Sequence, residues 1–146
     1  MESAGRGEHV PDGQSETSAL RQPGSFQDAV RPWMETCFGP LASVDVRERA
    51  HRFLEEALEL SQACGCTEDE AMKLVSYVFG RPTGGTPDEA GGVMVTLAAL
   101  CIGTGTDMAD EGDRELTRVW TMVDRIRAKR ASKVVGSPLP GSYPEE

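Results

Sequence analysis

Apolar residues along the middle of the chain recur at steps of three and four, which is the spacing of one face of an α-helix. The pattern predicts helices at residues 26–38, 46–64, 68–79, 86–103 and 113–131. No run of alternating β-branched residues bounded by hairpin turns is present, and no internal repeat is evident. The sequence therefore predicts an all-α fold, a bundle of four to five helices.

Several of these helices have recognisable starts. Ser25 has the position of an N-cap before the first helix. Thr67 and Glu70 have the spacing of a capping box, in which each side chain accepts a hydrogen bond from the other residue's backbone N–H. Thr86 and Glu89 repeat that spacing, with a proline in the first turn. We therefore expect Thr86 to be the N-cap of the fourth helix.

The segment at 86–103 is apolar on nearly every face, which is typical of a helix surrounded by other helices. It predicts the central, buried helix of the bundle. Its apolar run is too short to span a bilayer, so we expect no membrane as a partner.

The two ends of the chain differ in composition from the middle. Residues 1–24 are rich in Gly, Ser, Glu and Pro, and residues 134–146 carry three prolines. Such segments bury too little apolar surface to fold by themselves. The sequence therefore predicts two disordered tails around one helical domain at 25–133.

Charge and cysteine content exclude several classes of protein. Asp and Glu total 24 against 15 Lys and Arg, so the net charge is −9, which argues against nucleic acid as a partner. The four cysteines form no C-x-x-C pair and there are two histidines, so no zinc site is expected. The first residues contain no apolar signal-peptide core, so we expect a cytoplasmic protein with reduced thiols.

Three glutamates lie together on the second helix, in the stretch "HRFLEEALEL". Glu55, Glu56 and Glu59 occupy the side opposite its apolar residues. They are either the solvated face of an amphipathic helix or ligands of a hard cation. Like charges one turn apart repel each other, and a cation bridging Glu56 and Glu59 would relieve that repulsion. Glu89 has the same two interpretations, as a capping partner or as a third carboxylate ligand.

The last predicted helix is basic although the whole protein is acidic. Arg125, Arg127 and Lys129 are candidates for binding the phosphates of a ligand. The alternative is that these cations collect at a helix C-terminus because the helix dipole favours positive charge there.

These residues resemble the MazG-like all-α NTP pyrophosphohydrolase superfamily, whose members carry an E-x-x-E helix followed by an E-x-x-D helix. Here "EALE" supplies Glu56 and Glu59, whereas "EAGG" supplies Glu89 with Gly92 in place of the aspartate. The stretches "FQDAVRPWMETCFGP", "LVSYVFGRP" and "IRAKRASK…SPLP" are similar to a phage- and prophage-associated branch of that superfamily, over about residues 26–140.

The resemblance implies a Mg²⁺-dependent hydrolase, with Mn²⁺ as an alternative ion, that converts a nucleoside triphosphate to the monophosphate and pyrophosphate. It implies Glu56, Glu59 and Glu89 as metal ligands, and Glu55 or a hydroxide held by the ion as the base. Because some phage relatives act on dATP or dGTP, a purine deoxynucleotide is expected as substrate, and a homodimer or homotetramer as the assembly. The alternative is a MazG-fold protein without turnover that serves as a nucleotide-binding or oligomeric interaction module.

Overall fold

The computed structural model describes residues 24–40 and 45–143, and these ranges form six helices and no strand. The predicted tail at 1–24 lies almost entirely outside these ranges. The helices are α1 (Phe26–Phe38), α2 (Val46–Ala63), α3 (Glu68–Phe79), α4 (Thr86–Thr104), α5 (Met108–Trp120) and α6 (Val123–Ala131). The prediction of an all-α fold is confirmed.

The starts of α1 and α3 are those that the sequence predicts. The Ser25 hydroxyl accepts a hydrogen bond from the Asp28 N–H at the start of α1. Thr67 and Glu70 form the complete capping box of α3, with Thr67 N–H donating to Glu70 Oε2 at 2.8 Å. Short-range side-chain chemistry is therefore sufficient to position these two helices along the chain.

The predicted cap of α4 is wrong. Thr86 is the first residue of the helix and Gly85 is its N-cap, with no side-chain hydrogen bond at the cap. The Glu89 carboxylate instead lies against Gly84, so closely that a Cβ on Gly84 would collide with it. Because that carboxylate contacts the preceding loop, Glu89 does not complete a capping box with Thr86.

The predicted helix at 113–131 is also wrong, because two helices occupy this part of the chain. The first, α5, begins after Asp107, whose carboxylate accepts hydrogen bonds from two backbone N–H groups at 2.9 Å. It ends at Trp120, where the Thr121 hydroxyl donates to the Arg118 carbonyl at 2.7 Å. The Thr121 and Met122 N–H groups donate to carbonyls three residues back, at 3.0 and 3.1 Å, instead of four residues back as in an α-helix, and α6 starts after Met122.

The main packing centre lies where α1 contacts α5 and α6. Trp33 donates its ring N–H to the Val119 carbonyl at 3.3 Å, and a Phe26 ring lies against Gly112 of α5. Cys37, with 4% of its surface exposed, is the single buried apolar residue in the described ranges.

The C-terminal end of α1 is closed by cations from α6. Arg127 donates two hydrogen bonds to the Thr36 carbonyl, and Arg130 donates to the Phe38 carbonyl at 3.0 Å. The Arg130 guanidinium also lies over the Phe38 ring, 5.3 Å from its centroid. Carbonyls at the end of a helix have no partner within it, so these arginines supply the missing donors and complement the helix dipole.

Like every described helix except α1, α4 has no buried residue in the single chain. Ile102 exposes 81% of its surface and Met94 exposes 65%. A Cβ on Gly91 or Gly92 would meet no atom within 4 Å. The prediction that 86–103 is the central, buried helix is therefore wrong for the isolated chain.

The described part of the predicted C-terminal tail, residues 134–143, has no regular helix but contacts the helical domain. Arg52 of α2 donates to the Pro138 carbonyl, and the Ser132 hydroxyl donates to the Ser142 carbonyl at 3.0 Å. This segment therefore passes along α2 and α6.

No single helix in the described ranges is long and apolar enough to cross a membrane. Only α4 and α5 taken together reach that apolar length, and they are bent by 101° relative to each other.

We predict that Arg127→Met lowers the free energy of unfolding by about 1 kcal/mol, because the Thr36 carbonyl loses both of its donors. Urea denaturation measures this change. The matched control is Arg114→Met, since Arg114 pairs only with Glu111 on the surface of α5 and its loss is expected to have an effect below about 0.5 kcal/mol. Equal effects of the two substitutions would contradict the capping role.

Candidate functional site

The acidic face of α2 faces α5 and α6 at Glu56. The pKa of the Glu56 carboxyl is raised, first because burial disfavours its charged form and then because Glu59, Glu55 and Glu115 repel that charge. Lys129 of α6 acts in the opposite direction. Three helices therefore bring carboxylates and a cation to one place.

Glu115 and Arg118 form an ion pair on the side of α5 that faces Glu56. Arg118 donates to both carboxylate oxygens of Glu115, at 2.6 and 2.7 Å. These hydrogen bonds lower the pKa of Glu115 and raise the pKa of Arg118, to which Glu56 also contributes. The negative charge of α2 thus faces both signs of charge on α5.

Lys129 and Arg125 share one aromatic neighbour. The Lys129 ammonium lies 4.2 Å from the centre of the Tyr143 ring, and the Arg125 guanidinium lies 5.2 Å from it. Lys129 also interacts electrostatically with Glu56. Of the three predicted phosphate-binding residues, Lys129 therefore interacts with the acidic face of α2, and Arg125 shares its aromatic neighbour.

The third, Arg127, is engaged elsewhere, since both of its hydrogen bonds go to the Thr36 carbonyl of α1. Its role at the end of α1 accounts for its position without a ligand. The prediction that Arg127 binds phosphate therefore finds no support in its contacts.

Glu55 is held by a neighbouring arginine. Arg52 pairs with Glu55 and, at 3.3 Å, with Glu48. Glu48 in turn pairs with Lys133, which follows α6. The candidate base thus belongs to a chain of ion pairs that joins α2 to the end of α6.

The predicted set of three metal ligands is not assembled in the single chain. No group of three or more His, Cys, Asp or Glu residues within 24–40 and 45–143 is arranged to hold a metal ion. Glu89 lies against Gly84, and the carboxylates that raise the pKa of Glu56 come from α2 and α5. Metal binding by Glu56, Glu59 and Glu89 therefore stays a prediction.

A cavity of about 370 Å³ adjoins Glu59 between α2 and α3. Its walls combine apolar and polar side chains, among them Leu58, Gln62, Met72 and Val75. This volume falls within the roughly 300–1,000 Å³ typical of small-molecule sites. Glu59 therefore lies between the carboxylate face and a space that can hold an organic group.

A second cavity, of about 270 Å³, lies between the start of α2 and the chain after α6. Two of its cations, Lys133 and Arg130, already pair with Glu48 and with the Phe38 carbonyl. These two cations therefore already have partners within the protein and do not require a ligand.

Sequence reasoning missed three residues of this region, namely Glu115 and Arg118, which interact with Glu56, and Tyr143, which contacts Lys129 and Arg125. The spacing of Glu115 and Arg118 at i,i+3 is a recognisable ion-pair signal, but the sequence alone does not show which helix they face. Tyr143 lies among prolines, a composition that predicts a disordered tail.

Comparison with known proteins identifies no relative: no protein-family model, no curated protein and no solved structure matches this chain.

We predict that Glu56→Gln stabilises the protein at neutral pH and not in acid. A raised pKa means that the folded state favours the protonated carboxyl, so the wild-type protein loses stability as the pH rises from the ordinary value of 4.5 through the raised pKa. Gln stays neutral, so the variant avoids that loss. Because Glu56 is only partly buried, solvent screens its interactions, and we expect a gain of roughly 0.5 kcal/mol in urea unfolding at about pH 7, and none at about pH 4.

Glu70→Gln is a control for which the opposite change in stability at neutral pH is expected. The Thr67 hydrogen bonds lower the pKa of Glu70, so its contribution to stability is present above pH 4.5 and is lost as the pH falls through the lowered pKa. This variant should be less stable than the wild-type protein at neutral pH and equal to it in acid. The same pH dependence for both variants would contradict the assigned environments.

Proposed function

We propose that this protein is a Mg²⁺-dependent nucleoside triphosphate pyrophosphohydrolase. One observation carries the proposal: Glu56, whose pKa is raised by burial and by repulsion from neighbouring carboxylates, also interacts electrostatically with Lys129 of α6 and Arg118 of α5. A Mg²⁺–triphosphate complex presents both signs of charge, so it matches a site that also has both. The resemblance to MazG-like enzymes in "EALE" and "EAGG" supplies the reaction class.

The donor set at Glu56 fits a hard divalent cation in its chemistry. Carboxylate oxygens are the ligands that Mg²⁺ prefers, and the excess negative charge around Glu56 is what a bound cation relieves. When bound, Mg²⁺ neutralises phosphate charge and makes a water molecule more acidic. Glu56 and Glu59 would hold it, with Glu115 adding negative charge from α5.

The remaining residues of the site have separate tasks. Lys129 and Arg125 provide donors for the phosphate oxygens, and charge-assisted hydrogen bonds of this kind are strong. Glu55, held in place by Arg52, accepts a proton from the attacking water. The cavity beside Glu59 accommodates the base, and the resemblance favours dATP or dGTP.

The second candidate is a MazG-fold nucleotide-binding or interaction module without turnover. Two observations favour it: Gly92 stands in place of the motif aspartate, and the described part of the chain assembles no group of three metal-ligating side chains. Both candidates bind nucleotide at the same residues, so hydrolysis is the property that separates them.

We expect the protein with Mg²⁺ to release pyrophosphate from dATP or dGTP, and Glu59→Gln to lower kcat by about 100-fold through loss of an ion-holding carboxylate. Pyrophosphate release is measured for each deoxynucleoside triphosphate. Glu111→Gln, an acidic residue on the surface of α5, is the matched control and should retain activity. Nucleotide binding without released pyrophosphate in the wild-type protein would favour the module.

Lys129→Met tests the phosphate contact separately. Loss of one charged donor should raise KM by about 10-fold or more. A wild-type KM in this variant would remove Lys129 from the substrate site.

The assembly is part of the same proposal. The large exposed apolar residues of α3 and α4, here together called the α3–α4 face, are Met72, Leu74, Val78, Phe79, Met94, Val95 and Ile102. From residue 91 to 104 the chain carries no charged side chain. An apolar surface of this kind marks an interface, and identical chains usually associate through closed symmetry. We infer that a second copy covers it, in a homodimer or homotetramer.

We predict that Val95→Glu shifts the protein to a smaller species in sedimentation velocity, because it places a charge in the interface. Val135→Glu, at a residue with 99% of its surface exposed outside the α3–α4 face, is the control and should sediment like the wild-type protein. A monomeric wild-type protein at micromolar concentration would contradict the assembly.

A further inference from the structure

Residues 137–143, here called the C-terminal strap, lie across the cations of the proposed phosphate site. The strap is held at two backbone carbonyls, those of Pro138 and Ser142, by Arg52 and Ser132. It thereby reaches from the acidic face of α2 to the end of α6.

Tyr143, within this strap, is the aromatic neighbour shared by Lys129 and Arg125. Its ring lies over Lys129 and Arg125, at 4.2 and 5.2 Å from the ring centre, and its phenol interacts electrostatically with Arg118. The ring therefore lies where a phosphate group bridging Lys129 and Arg125 would have to bind.

Gly141 shows how closely the strap packs on α6. A Cβ at this position would collide with the Lys129 carbonyl and would lie 2.6 Å from the Ser132 hydroxyl. Its backbone φ is not positive, so the close approach, rather than a special backbone conformation, requires glycine. Any larger side chain at 141 must lift the strap away from α6.

We propose that the C-terminal strap is a self-inhibitory cover, which a polyphosphate chain displaces when it binds. The inference rests on the proposed function, since it concerns the same cations. An aromatic ring holds a cation more weakly than a phosphate does, because its quadrupole carries no net charge. The ring therefore covers Lys129 and Arg125 when no anion is present. A triphosphate must displace the ring to bind, and this displacement weakens the measured affinity for the triphosphate.

The test uses inorganic tripolyphosphate as the probe, with the full chain, and measures its affinity by calorimetry. Gly141→Val lifts the strap, and Tyr143→Leu removes the ring that covers the cations. We expect each variant to bind tripolyphosphate about three- to ten-fold more tightly than the wild-type protein, because the covered state no longer competes. Tyr77→Leu is the matched control, since Tyr77 stacks on Arg81 at another surface, and should leave the affinity unchanged.

Hydrogen exchange supplies a second readout in the wild-type protein. Amides of residues 137–143 should exchange faster when tripolyphosphate is added, since the strap leaves α6. Slower exchange, or weaker binding by Gly141→Val and Tyr143→Leu, would mean that the strap is a wall of the site and would overturn the proposal. Absence of binding in the wild-type protein and in both variants would overturn it as well.

These outcomes are independent of turnover. Tighter tripolyphosphate binding by both variants without released pyrophosphate in any of them supports the strap and refutes the hydrolase. Hydrolysis with unchanged tripolyphosphate affinity supports the hydrolase and refutes the strap.

Discussion

The positive charge of one short helix organises the described structure. The nine residues of α6 carry cations on two sides, with Arg127 and Arg130 directed to the end of α1 and Arg125 and Lys129 against the Tyr143 ring. The first pair satisfies carbonyls that α1 leaves without partners. Of the second pair, Lys129 also interacts electrostatically with Glu56. Because a helix of this length is only marginally stable alone, contacts with its neighbours must maintain it.

The charge around Glu56 is electrostatically unfavourable in the single chain. Burial and neighbouring carboxylates raise the pKa of Glu56, so this residue reduces the stability of the folded state at neutral pH. Such perturbed groups occur often at functional sites, although structural charge networks produce them too. Lys129 of α6 acts on Glu56 in the opposite direction, and Glu56 contributes to the raised pKa of Arg118 of α5, so the proposed binding of an ion together with an anion rests on charges of both signs.

Local chemistry predicts part of this fold, and contacts distant in sequence decide the rest. The Ser25 and Thr67 hydroxyls cap their helices by accepting hydrogen bonds from backbone N–H groups three residues further along the chain, and both bonds are present. The break after Trp120 contains neither Gly nor Pro, so the apolar periodicity predicts one continuous helix across it. The predicted cap at Thr86 is wrong because the Glu89 carboxylate contacts the loop that precedes the helix.

The candidate site, like the fold, is only partly predictable from the sequence. The grouping of Glu55, Glu56 and Glu59 follows from helical spacing and could be predicted from the sequence. The proximity of Glu115 to Glu56, and of Tyr143 to Lys129, depends on how three helices pack, which no local pattern encodes.

The two adjacent glycines near the start of α4 have a consequence for thermal behaviour. Gly91 and Gly92 each weaken a helix by about 1 kcal/mol relative to Ala, and in the single chain no neighbouring side chain occupies the space beside them. If a second copy provides that missing packing, folding and association are linked equilibria. The melting temperature of this protein then rises with its concentration, and dilution alone is sufficient to destabilise it.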